Sequence, residues 1–301
     1  MNHTIDILGW TLLHSLWQGA LIGTVVWALR RHRRRHAAWQ YDLHLGGLLL
    51  LFFTVLATAG YEWSTQTAAA PAAPLVHLTP EASTYLIATV SSEAYVAVHP
   101  WSVAYWQPHV DRALPYLTWG WALGVLICTL RWAGGRLWLR RLHKSGRAVP
   151  AWTDRVDALR RQLGIPRPVA LRESVRVQVP VVVGWLKPVI FVPVGLLTHL
   201  PPAQVEMVLR HELAHVRRHD YLVNAFQMLI ETLLFYHPVV WLLSAQVRIA
   251  REHCCDDLAL HANGNAAALA RALLRVQEGV LTPPTFARRP ALALLGSNGG
   301  S

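Results

Sequence analysis

Charged side chains are scarce in this sequence. They make up 15% of its 301 residues, against 53% hydrophobic residues. A composition so poor in charge and containing 14 Trp is not that of an ordinary soluble protein. It fits a chain in or against a bilayer, with aromatic rings at the water interface. Cysteine is scarce too: Cys128, Cys254 and Cys255 are the only three. One lies in an apolar run, and the other two are adjacent, a spacing at which a bridge is strained. A secreted disulfide framework is therefore excluded, and the globular part is expected to face a reducing compartment. The adjacent pair also lacks a second Cys or His pair at finger-like spacing, which counts against a structural zinc on the cysteines. No internal repeat is present. The first apolar run carries no small-residue cleavage signature, so it reads as a retained span rather than a removed signal peptide.

Positive charge is in surplus, with a formal net charge of +11. Its placement matters more than its size. The basic residues cluster beside long apolar runs, as the positive-inside rule requires of a membrane protein, and no direct nucleic-acid binding is expected. Three spans are predicted, at about 5–29, 41–60 and 114–133, each near the roughly 20 residues that cross a bilayer core. The first ends in Arg30, Arg31, Arg33, Arg34 and Arg35; the third is followed by Arg136, Arg140, Arg141, Lys144 and Arg147. This asymmetry predicts an extracytoplasmic N-terminus, an extracytoplasmic loop over 61–112, and everything after Arg131 in the cytoplasm of a bacterial-type inner membrane.

From 134 to 290 a second region is expected. Val156, Leu159 and Leu163 share one face of a helix over 154–163. The β-branched runs Val175 to Val183 and Val189 to Val192, separated by Gly184 and Pro188, predict a hairpin or small sheet. Pro180 suits an edge strand. From Pro202 the pattern is helical almost to Val280, and 291–301 reads as a flexible tail.

The chemistry concentrates on His211-Glu212-Leu213-Ala214-His215. Pro201 and Pro202 mark a helix start. At i and i+4 both imidazoles leave one helical face and can share a metal ion, while Glu212 beside them can act as a general base. Two surface histidines on an ordinary helix are the plain alternative. For a third ligand, His219 continues the same face but would lie about 12 Å from His211 along a straight helix, too far for one ion. The glycine-turn arrangement is excluded because Arg218 and Tyr221 occupy its Gly and His positions. Glu252 remains, with Asp256 one turn later as a hydrogen-bond partner for a ligand histidine; the alternative for Glu252 is a solvated helix charge. Asp220 and Asn224 join Asp256 as expected supports behind the ligands.

Glu252 brings a constraint. Residues 221–245 are apolar and long enough to span, yet a straight crossing would leave Glu252 about 30 Å from the histidines. A re-entrant or bent helical pair is therefore predicted there, with Pro238 as the break. Asn224 and Glu231 are polar groups that lipid would not tolerate unpaired.

These residues resemble a known family, the BlaR/MecR-type integral-membrane zinc metallopeptidases. The resemblance runs in order through Leu13-His14-Ser15-Leu16-Trp17-Gln18-Gly19, Pro180 to Gly184, Pro188 to Pro193, His211 to Asp220, His237 to Trp241, and Glu252 to Asp257. It implies a mainly α membrane protein with a gluzincin-like α+β metallopeptidase domain and a small β-sheet. It further implies one zinc per chain on His211, His215 and Glu252, with Glu212 as general base. The substrate would be a protein, in signalling members a winged-helix transcriptional repressor, lying along an edge strand here represented by Val177, Val179 and Val181. A homodimer is compatible with this reading. The best-known members add a final span and a penicillin-binding sensor with a Ser-x-x-Lys nucleophile. No Ser here has Lys three residues later, so the sequence reads as a short or truncated relative in which direct β-lactam sensing is not expected. A non-catalytic signalling or scaffold protein with a structural metal is the competing reading, and intact Glu212 speaks against it.

Overall fold

A computed structural model describes residues 3–32, 36–67 and 103–261. They form a mainly α protein with a small mixed sheet. Three helices come first: α1 (His3–His32), α2 (Ala37–Thr67) and α3 (Val103–Ser145). All three are long and apolar enough to cross a membrane. Each outruns the expected span, because hydropathy marks the lipid-crossing part while backbone hydrogen bonding continues into polar sequence. The expected loop over 61–112 is thus helical at both ends, and its middle lies outside the described residues.

The chain divides into two compact units, residues 1–21 with 50–124 and residues 22–49 with 125–301. In the first, α1 and α3 come close at Gly9, where a Cβ would stand 2.7 Å from Leu114 Cδ2. Thr118 Oγ1 donates to the Ile5 carbonyl at 3.2 Å, and Gln18 Nε2 donates to Thr58 Oγ1 at 2.9 Å. Small residues at crossings and polar pairs between helices are the usual adhesives inside a bilayer.

The second unit holds the sheet. After β1 (Arg147–Ala148) come a 3₁₀ turn (Pro150–Trp152) and α4 (Thr153–Gln162), then β2 (Ala170–Ser174), β3 (Val181–Val183) and β4 (Val189–Pro193). The order is β1-β2-β4-β3, with β2 and β4 parallel and the other two pairs antiparallel. β4 is central and buried on both faces. Ile190 and Val192 face a core with Val156 and Leu159 of α4, while Phe191 faces Leu142, Val177 and Val183. This is the two-residue alternation of a pleated strand.

The strand expected over 175–183 is corrected to Val181–Val183. The Arg176 N–H donates to Ser174 Oγ at 3.2 Å, which turns the chain away from the ladder. Val177 then drops into the core and Val179 packs against the α4 side, so neither lies on an edge strand. Val181 does, because β3 pairs only with β4.

Four further helices follow: α5 (Leu196–His199), α6 (Pro202–Arg217), α7 (Asp220–Leu233) and α8 (Pro238–His261). The apolar stretch 221–245 is therefore not one helix. It breaks at residues 234–237, where His237 is buried and its Nδ1 accepts the Val239 N–H at 3.2 Å. Pro238, which has no N–H to leave unpaired, opens α8. Gln227 of α7 donates to the Ser244 carbonyl and hydroxyl of α8, at 3.2 and 2.9 Å, tying the hairpin together. Residues beyond 261, including the expected tail, lie outside the described residues.

Candidate metal centre

α6 has two working faces. Val205, Val208, Leu209, Leu213 and Val216 form a helical stripe against the sheet and α4. His211 and His215 leave another face, toward α8. Their Nε2 atoms are 3.3 Å apart. Glu252 of α8 brings Oε2 to 3.6 Å from His211 Nε2 and 3.7 Å from His215 Nε2. An ion with bonds near 2 Å in tetrahedral geometry needs donors roughly 3.3 Å apart. Two imidazoles and one carboxylate, closing on one point with that spacing, fit a divalent metal such as zinc.

Both histidines are also held from behind. His215 Nδ1 lies 2.8 Å from Asp220 Oδ2. His211 Nδ1 lies 3.0 Å from Asp256 Oδ1, a close contact in which neither buried atom makes a well-directed hydrogen bond. Such carboxylates fix the tautomer and leave Nε2 as the donor to a metal. Asp220 reaches its place through His219, whose φ of 58° puts it in the left-handed region. That residue type tolerates the conformation better than most non-glycine residues. The chain turns sharply there, and His219 leaves the ligand face altogether. Asn224 is not brought to the ligands; its amide donates to Met228 Sδ on the same helix at 3.4 Å.

Burial and charge act together on the metal-free groups. Desolvation opposes protonation of His211, but the Asp256, Glu252 and Glu212 carboxylates outweigh it and raise the imidazole to about 10. Glu212 is pushed above the usual carboxylate range by burial, against the lowering pull of His215 and His211. Burial would also raise Glu252, yet its bond to His211 and the nearby cationic groups hold it below its ordinary value.

Two participants escaped the sequence reading. Cys255 places its buried Sγ 3.3 Å from His215 Nδ1 and 3.4 Å from Asp220 Oδ2, so the thiol belongs to the support of His215. Burial pushes that thiol strongly up, which keeps it protonated. Arg218 holds the other side of Asp220, with Nε 3.6 Å from Oδ1. The two adjacent cysteines face opposite ways: Cys254 packs with Tyr41, Val247 and Ala250. Only their position two and three residues after Glu252 hinted at a link with the centre.

Three helices long and apolar enough to cross a membrane, a mixed sheet and a His-His-Glu cluster with a buried acid beside it are thus combined in one chain. Comparison with known proteins gives the family. The chain belongs to the BlaR1 peptidase M56 family, whose profile matches residues 10–292. Regulatory protein BlaR1 of Bacillus licheniformis is 26% identical over 138 residues, 45% of this chain and 23% of that protein. A protease HtpX homolog of Methanopyrus kandleri is 30% identical over 129 residues, 34% of this chain and 41% of that one. The methicillin resistance mecR1 protein of Staphylococcus aureus is 23% identical over 88 residues, 29% and 15% of the two chains. The chain thus aligns with less than half the length of each of these relatives. The crystal structure of S. mikatae Ste24p aligns over 92% of both chains, at 12% identity and a TM-score of 0.33, a likeness too slight to carry argument. Together with the three apolar helices, the family makes this a membrane protein of bacterial type.

Proposed function

We propose that this chain is a zinc endopeptidase of the bacterial inner membrane, with its centre toward the cytoplasm. The observation that carries the reading is the donor triangle of His211, His215 and Glu252 with buried Glu212 beside it. Zinc held there would supply Lewis acidity to the scissile carbonyl. Glu212 takes the proton of the attacking water and hands it to the leaving amine, a role suited by a carboxyl whose burial raises its proton affinity. Asp220 and Asp256 keep the imidazoles oriented. The free edge of β3 at Val181 offers main-chain pairing to an extended substrate. A substrate that is a protein, and in particular a winged-helix transcriptional repressor, follows from the resemblance to the signalling members.

Glu212→Gln separates catalysis from metal binding. The variant should keep about one zinc per chain while cleavage falls by at least about 10²-fold. Cleavage that persists at wild-type rate would sink the mechanism. Protein comparison of the native host carrying wild type or Glu212→Gln would identify the substrate.

A further inference from the structure

Past the last metal-ligand position on α6, a cavity of about 130 Å³ opens between the loop after α4 and the C-terminal end of that helix. Its wall includes Gly164, Pro166, Arg167, Val216, Arg217 and His219, with no carboxylate among its lining residues. Arg167 is fixed there by two bonds: Nη1 donates to the Trp185 carbonyl at 2.6 Å, and Nη2 donates to His219 Nε2 at 2.5 Å. Arg217 is exposed, and among the described residues neither arginine is paired with an acid. Two unpaired guanidinium groups around a polar hollow are a site for an oxyanion, which they can bind through several donors at once.

The surroundings of the pocket bear on where that oxyanion comes from. The Arg218 guanidinium, next in the chain to Arg217, stacks over the Tyr41 ring at 4.5 Å. Tyr41 lies near the start of α2, one of the helices long and apolar enough to cross a membrane, and is buried against Val247 and Ala250 of α8. The carbonyl that holds Arg167 belongs to the β3–β4 turn, and that turn exposes Trp185, Leu186 and Lys187. Exposed Trp and Leu beside Lys and Arg make an interfacial tip, apolar rings toward the acyl boundary and cations at phosphate depth.

We propose that Arg167 and Arg217 bind the phosphate of an anionic phospholipid headgroup, with Trp185 and Leu186 resting in the adjoining interface. The lipid assignment does not rest on the proposed peptidase activity. The shared chemistry is a phosphate oxyanion; the Trp185–Leu186 tip favours the lipid over free phosphate.

Native mass spectrometry of the full chain in detergent tests it, with phosphatidylglycerol, phosphatidylcholine and inorganic phosphate as separate probes. Wild type should retain phosphatidylglycerol in preference to phosphatidylcholine, and inorganic phosphate should not displace it. Arg167→Gln with Arg217→Gln should reduce retention roughly thirtyfold, about the combined effect of two surface arginines. Arg217→Gln alone, at an exposed side chain that leaves the Arg167 bonds intact, should give part of that loss. Arg136→Gln with Arg140→Gln on α3 should change it little. Equal retention in wild type and both site variants overturns the proposal, as does equal retention of the two lipids. Displacement by inorganic phosphate reassigns the pocket to a soluble anion and overturns the lipid assignment.

Discussion

At the level of single side chains the centre is a contest between protons and metal. His211 faces three carboxylates, and without an ion they raise its imidazole to about 10, against 6.5 in an unfolded chain. The folded-state value is the higher one. Its contribution to the stability of the metal-free protein is therefore fully present below about pH 6.5 and is lost as pH rises through about 10. Zinc requires the neutral ring, so binding at neutral pH must expel that proton. Zinc titration of the metal-free chain near pH 7.5, repeated in buffers of different ionisation enthalpy, should show about one proton released per ion. His211→Ala should abolish both uptake and release; zinc uptake with no proton release would contradict the arrangement of Asp256 and Glu252 around His211. The pentapeptide and Glu252 were legible at this scale because helical spacing and ligand chemistry limit the choices. Cys255 was not legible, since its role depends on which way one helix is rotated about its axis.

At the level of elements, the meeting of α6 with α8 depends on the hairpin between them. Glu231 of α7 accepts from Arg248 Nη1 at 2.5 Å and from the Ser244 hydroxyl, both on α8. Beside it Gln227 joins the same network through Ser244 and Arg251. Removing the carboxylate leaves a partly buried guanidinium without its counter-charge. Glu231→Ala is expected to cost about 1–3 kcal/mol and, because α8 carries Glu252, to loosen zinc retention. Thermal unfolding and metal content of the detergent-purified variant measure both effects. An unchanged Tm together with full zinc would show that the hairpin network does not position α8. The fold-back itself was readable from Pro238 and from Glu252, since one ion cannot reach donors on opposite sides of a bilayer. The sheet was less readable. Val175 to Val183 has strand composition throughout, but the Ser174 hydroxyl captures the Arg176 N–H and Pro180 has none to give, so only three residues join the ladder. Composition records that valine prefers pleated, half-buried surfaces; it does not record which valines the core takes instead.

For the whole molecule, access to a substrate turns on direction across the bilayer. Hydropathy picked out the three helices long and apolar enough to cross, because about 20 apolar residues have few other uses. It could not reveal that α2 and α3 run on to Thr67 and from Val103, since a helix needs no lipid to continue. Direction rests on charge: arginines crowd the α1–α2 connection and the C-terminal part of α3, while 61–112 holds almost none. We therefore expect the peptidase unit inside and the 61–112 segment outside. Single cysteines can report each side, given that Cys254 and Cys255 are buried and that Cys128 can be replaced by Ser in the background. Ser83→Cys, in the 61–112 segment, should react with a membrane-impermeant maleimide on intact spheroplasts. Thr198→Cys, on the exposed face of α5, should react only after permeabilisation. The reverse pattern would place the metal centre outside the cell. A cytoplasmic repressor would then be out of its reach, and the substrate proposal would fail even if His211, His215 and Glu252 held zinc as described.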